Sequence, residues 1–137
     1  MNRVLLFVSI LTVLVLAACG NSSGGAQMDS TATLASVPAE YVGKTNPLGV
    51  DAASMGAEVF KANCQACHGE TGHGDGPAGA ALMPAPKNLA VLQTQAGDAY
   101  LFWRITTGKD GTAMISWKGI LTEEQIWQVI SFIRMLK

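Results

Sequence analysis

Charge is scarce in this chain, and neither sign dominates it. Charged side chains make up 14% of the 137 residues and sum to −1 at neutral pH, so the basic surface that nucleic-acid binding needs is missing. Cysteine occurs three times, at positions 19, 64 and 67, and histidine only twice. A structural zinc site takes about four ligands. Beyond Cys64, Cys67 and His68 the sequence offers only His73 as a nitrogen donor, on a glycine-rich stretch and without two-knuckle spacing. A thioredoxin-like dithiol needs a βαβ setting, and no stretch alternates apolar and polar residues as a strand would. No acid–base dyad or activated nucleophile is visible, so neither enzymatic chemistry nor a small-molecule substrate is expected. The length allows one domain with a modest core.

What the chain has in quantity is apolar side chain, at 49% of residues. Part of it belongs to no fold. Asn2 and Arg3 precede an apolar run from Val4 to Leu16, which reads as a secretory leader and is short for a membrane span. The run ends in Leu16-Ala17-Ala18-Cys19-Gly20, which resembles a bacterial lipobox. That resemblance implies a lipoprotein signal peptide over 1–18, cut before Cys19, with acyl chains such as palmitate on that cysteine. The mature chain is then expected on the periplasmic side, lipid-anchored to a bacterial membrane. An ordinary signal peptide or an uncleaved anchor is the competing reading. Residues 19–46 read as a lipidated N-terminus, a flexible tether to about Ala35 and an extended arm, "SVPAEYVGKTNPLGV", that begins at Ser36. Residues 47–137 are expected to form the domain.

Within it, Cys64-Gln65-Ala66-Cys67-His68 is the attachment motif for a c-type haem. On one helical turn, positions i, i+3 and i+4 share a face. Two thiols can therefore meet the two vinyl groups along one haem edge while the histidine turns towards the iron. One motif means one covalent haem.

Three main helices are expected around it. The first spans Ala52 to Asn63, with Met55, Val59 and Ala62 on one side and Phe60 beside them. Gly56 is costly inside this helix unless another backbone comes close. The second spans Asp98 to Thr107, with Asp98 as N-cap and Gly108 as stop. The third opens with a capping box, Thr122 to Gln125, and a Leu121/Ile126 staple. It continues through Ile126, Val129, Ile130, Ile133 and Leu136 to the C-terminus. Gly69 to Pro86 should be loop. The fold class is all-α.

The order of helix, CxxCHG, glycine-rich loop, helix, methionine and last helix resembles a class I mono-haem bacterial cytochrome c over residues 50 to 137. The resemblance implies a small cytochrome c fold in which Gly56 and Phe60 pack across Val129 and Phe132. It makes His68 the proximal iron ligand and Met114, in "GKDGTAMISW", the distal one, although Ile115 stands where the family usually has proline. Met83, which does precede a proline, competes for that role. The family's proline carbonyl that accepts from the proximal histidine falls on Pro77, Pro84 or Pro86, with "PKNL" favouring Pro86. Arg104 and Trp117 are candidates to hold haem propionates, and core packing is the alternative for Trp103, Trp117 and Trp127. His73 reads as a loop bystander.

One-electron transfer is the function these readings favour, by a membrane-tethered carrier or a subunit of a respiratory or photosynthetic quinol-oxidising chain. The arm before the domain resembles that of the mono-haem lipoprotein subunits of alternative complex III. The rival is a haem-based ligand sensor or peroxidase with an open sixth position. Basic and acidic residues nearly balance in 47–137, so docking on redox partner proteins is not expected to need one large charged patch.

Overall fold

The computed structural model describes residues 34–137, all within one compact unit that runs from Thr33 to Lys137. The expected leader over 1–18, the lipidation site Cys19 and most of the tether lie outside the described residues. Five α-helices build the unit: α1 Ala53–Asn63, α2 Gln65–His68, α3 Leu89–Gln95, α4 Asp98–Thr107 and α5 Glu123–Ile133. No strand occurs among the described residues, in line with the all-α expectation. Long loops connect α2 to α3 and α4 to α5.

The most extensive helix packing is that of α1 on α5. A Cβ on Gly56 would fall on the Gln128 carbonyl and within 3.0 Å of Phe132 Cβ, so only glycine lets the two backbones approach this far. One turn on, the Phe60 and Phe132 rings meet at 5.0 Å between centroids, tilted by 49°. Val129 and Ile130 lose all exposure and Phe60 keeps 1%. The buried face of α1 thus runs through Gly56 and Phe60. The expected face was displaced from it: Met55 is 53% exposed and Ala62 is also at the surface. Periodicity put the apolar residues on a helix but misjudged which edge of the stripe faces inward, because Gly56 carries no hydrophobic signal.

Helix α5 starts as its sequence requires. Thr122 Oγ1 accepts from the Gln125 N–H at 3.1 Å, and Gln125 Oε1 accepts from the Thr122 N–H at 2.9 Å, which closes the capping box. Leu121 and Ile126 are both buried. The helix stops at Ile133 rather than at the last residue, and Leu136 still reaches the core. Helix α3 was not anticipated. Asn88 caps it by accepting from the Val91 N–H at 3.0 Å, a signal that "KNLAVLQTQ" carries but the neighbouring prolines obscured.

Asp98 does not cap α4; Gly97 takes that place. The Asp98 carboxylate is used tertiarily instead. It accepts from Arg134 Nε at 3.0 Å and Nη2 at 2.6 Å, and from the Asn46 N–H at 2.9 Å. Arg134 Nη1 also donates to the Gln93 carbonyl, so one guanidinium joins α3, α4 and the end of α5. Burial pushes the Asp98 carboxyl up, but the Asn46 N–H, the Arg134 hydrogen bonds and the Arg134 charge outweigh it and hold the group below its ordinary value.

The arm is part of the unit, which therefore begins earlier than the expected boundary at 47. Short 3-10 turns at Ala39–Tyr41 and Val50–Ala52 shape it. Asn46 Nδ2 donates to the Trp127 carbonyl at 3.0 Å and to Ser131 Oγ at 2.8 Å, and Asn46 Oδ1 accepts from the Leu48 N–H. Tyr41 packs 6.2 Å from Phe102, which itself stacks on Trp127 at 4.2 Å. Lys44 Nζ lies 5.0 Å above the Phe102 ring.

Two outcomes follow from these contacts. Gly56→Ala should cost about 1–3 kcal/mol in chemical denaturation through forced separation of α1 and α5. Asp98→Asn should destabilise the protein by about 1–2 kcal/mol at neutral pH. Because the folded-state pKa lies below the unfolded one, this stabilisation is full above the ordinary carboxylate pKa and is lost as pH falls through the folded value. The variant's denaturation midpoint should therefore converge with that of the parent in acid.

Candidate haem site

Helix α1 delivers its last residue, Asn63, straight into the paired-cysteine segment. Cys64 breaks the helix (φ −119°) and then serves as N-cap of α2. The N–H groups of Cys67 and His68 both bond the Cys64 carbonyl, at 3.2 and 2.9 Å. This single turn brings both thiols and the imidazole to one cavity of about 280 Å³, which Cys64, Cys67 and His68 all line. The thiols are free and not joined to each other. Burial, with the neighbouring Cys67 adding to it, pushes the Cys64 thiol up to about 12. The thiol is thus held in its protonated form, unlike that of a reactive dithiol.

The glycine-rich loop packs beneath this turn. The Ala78 N–H bonds the Ala66 carbonyl at 2.8 Å, and the Gly74 N–H bonds the His68 carbonyl at 2.7 Å. The chain then returns through Pro84, Ala85, Pro86 and Lys87, all on the cavity wall. His68 Nδ1 lies 3.2 Å from the carbonyl oxygen of Lys87. The acceptor is therefore one residue beyond the expected Pro86, whose carbonyl instead faces Gly74. Pro86 keeps a place in the wall as an apolar ring. Burial lowers the His68 pKa, and the Lys87 hydrogen bond opposes that shift. With Nδ1 donating to Lys87, the lone pair of Nε2 is left for a metal.

Met114 lines the same cavity, half-buried against the core. Its loop carries no proline, and hydrogen bonds within the loop and to the end of α4 do the fixing. Lys109 N–H donates to the Met114 carbonyl at 3.0 Å, and Met114 N–H donates to Thr112 Oγ1 at 3.1 Å. Beyond it, Ser116 Oγ and Lys118 N–H both donate to the Thr106 carbonyl, while Trp117 N–H donates to Ile105. Gly108, at φ +74°, closes the loop. A Cβ there would sit 2.6 Å from both the Met114 carbonyl oxygen and the Ile115 carbonyl carbon. Met83 is 92% exposed and does not line the cavity, although Leu82 and Pro84 do.

Arg104 and Trp117 are also on the cavity wall. The Arg104 guanidinium lies 3.7 Å from the Trp103 ring centroid and 5.4 Å from that of Tyr100, a stack that limits where it can point. Trp127 is core, stacked on Phe102, and Trp103 stands outside the cavity. His73 does not line it either; its ring bonds Thr71 Oγ1 at 3.2 Å and the Lys137 carbonyl at 3.1 Å.

The cavity's lining fits a haem. Most of it is aliphatic or aromatic: Phe60, Leu89, Leu92, Leu101, Ile105 and Ile133, among others. Its charged residues are Lys87, Arg104 and Lys109, with no carboxylate among them. An apolar macrocycle carrying two carboxylates meets both requirements, and thiols, an imidazole and a thioether stand in the same wall. Among the contributors that sequence reasoning missed are the Lys87 carbonyl, the Lys109 charge and Leu34.

The family described as "Cytochrome C oxidase, cbb3-type, subunit III" matches residues 51–133. Among solved structures, a chain of the Kuenenia stuttgartiensis reducing HAO-like protein complex is similar at 22% identity and a TM-score of 0.54, over 64% of this chain and 44% of its own. Cytochrome CL from the marine methylotrophic bacterium Methylophaga aminisulfidivorans is similar at 23% identity and a TM-score of 0.49, over 62% and 55%. The chain thus spans about half the length of the solved chains it matches. No curated protein matches it. Since the family match takes in α1, the attachment turn, the Met114 loop and all of α5, this chain belongs to that cytochrome c family, with haem c as its covalent cofactor.

Proposed function

We infer that this protein passes single electrons through one haem c bound by Cys64 and Cys67, with His68 and Met114 as the residues that would ligate its iron. The observation that carries this reading is that the attachment turn and Met114, 46 residues apart in sequence, line one apolar cavity. Bound there, haem c supplies a one-electron Fe(III)/Fe(II) couple. The chain's own contribution is to hold the ligands and keep the site dry. Lys87 orients the His68 ring through Nδ1, and Gly108 with Thr112 holds the Met114 backbone. Arg104 and Trp117, on the cavity wall, would be the residues to meet propionate oxygens, and Lys87 and Lys109 add positive charge to the same wall. Ligation of the iron by a thioether and an imidazole, in an apolar setting, would favour its reduced form. The exposure of Met83 supports Met114 over it as the sixth ligand.

The setting we propose is the extracytoplasmic face of a bacterial membrane, with acyl chains on Cys19 as anchor. Tethering makes each meeting with a membrane partner an intramolecular encounter. The partner class is a quinol-oxidising respiratory or photosynthetic complex, of which this chain is a mobile carrier or a fixed subunit of the alternative complex III type.

In the ferric protein, Met114→Ala should abolish the long-wavelength charge-transfer band of iron–thioether ligation. It should lower the midpoint potential by on the order of 0.1–0.3 V, within the ~0.8 V range that axial ligands span. Covalent haem staining on a denaturing gel should persist. An unchanged spectrum would remove Met114 from the iron, and a high-spin parent that takes up carbon monoxide would favour the open-site reading. For the anchor, Cys19→Ser should abolish incorporation of radiolabelled palmitate and release the protein from membranes. Copurification after mild detergent extraction identifies the partner.

A further inference from the structure

Leu34 stands apart among the residues of the cavity wall. Every other lining residue lies at position 60 or later, and the family match begins only at 51. Leu34 is nevertheless half-buried against the core and shares the wall with Phe60, Leu101 and Ile133. A side chain from outside the stretch that matches the family thus closes part of the site.

The segment behind it is anchored to the helices. Asn46 ties the segment to α4 through Asp98 and to α5 through Trp127 and Ser131. Ser131 Oγ returns a hydrogen bond to the Gly49 carbonyl at 2.6 Å, and Ser131 itself is 1% exposed. Between these bonds and Leu34, Tyr41 lies against Phe102, and Lys44 sits over that ring 3.9 Å from Glu123. Residues 34–50 therefore form a strap across α4 and α5, pinned at one end by buried polar groups and carrying a leucine at the other.

We propose that this strap is a cover for the haem cavity, with Leu34 as the residue that keeps water and small ligands from the haem. The inference rests on the haem reading above and adds a role for a segment which that reading does not use. Its physical basis is that the apolar shell round a metal controls solvent access and local dielectric, and through them the potential. Ferric haem carries one more positive charge than ferrous haem, so a wetter cavity favours the oxidised form. Leu34 acts on that balance without touching the iron.

The test compares the full-length haem-loaded protein with Leu34→Ser and Asn46→Ala, one at the cover and one at the anchor. Midpoint potential and the rate of imidazole binding to the ferric form are read for each. Both variants should lower the potential, and imidazole binding should quicken roughly three- to tenfold. Asn46→Ala should also lower the thermal midpoint, and Leu34→Ser should lower it less. If Asn46→Ala loses stability while both variants keep the parent's potential and imidazole rate, the strap is structural only and the proposal falls. The iron–thioether band separates this outcome from failure of the ligand assignment. With the band present and the rates unchanged, Met114 stands and the cover is wrong. With the band absent from the parent and the rates still raised by Leu34→Ser, the cover stands and Met114 is wrong.

Discussion

The close crossing of α1 and α5 at Gly56 is the contact on which the remaining geometry depends. Helix α1 ends at Asn63 and passes directly into the attachment turn, so the positions of both thiols and the imidazole are inherited from how α1 sits on α5. Helix α5 in turn gives Ile133 to the cavity wall and receives the strap at Trp127 and Ser131. A side chain at position 56 would meet the Gln128 carbonyl, and backbone atoms cannot yield as a flexible side chain can. The absence of one Cβ sets the spacing, and the Phe60–Phe132 contact fills what lies beside it.

A second constraint governs the methionine loop. With Ile115 in place of the family's usual proline, looseness is the expectation for this segment. The folded chain supplies rigidity by other means. The carbonyls of Ile105 and Thr106, near the end of α4, accept from Trp117, Ser116 and Lys118, and Gly108 lets the chain double back against Met114 and Ile115. Helix ends leave carbonyls without intrahelical partners, and here those carbonyls hold the loop. Proline would have restricted one dihedral; the hydrogen bonds fix the path of several residues.

Much of this was legible because it is local. CxxCH is a five-residue motif whose meaning follows from helical spacing, and α5 announces itself through a capping box that closes as written. The end of α4 at Gly108 was readable for the same reason. Other features misled because their residues have partners far off in the chain. Asp98 looks like an N-cap but is drawn to Arg134 and Asn46, 36 and 52 positions away. Met55 fits a helical stripe but lies at its exposed edge, since the true centre of that stripe is a glycine. Prolines on the approach to α3 hid the Asn88 cap.

The sequence by itself determined the covalent chemistry, the helical class and the helix that carries the attachment motif, because each is written within a turn or two of chain. Tertiary structure alone decided which carbonyl receives His68, with Lys87 taking the place expected of Pro86. It also decided that Met114 rather than Met83 reaches the cavity, and that Leu34, in what reads as a bland tether, becomes part of the wall. Those outcomes depend on where distant backbones come to rest once the helices have packed, and no local pattern of residue types encodes such a distance.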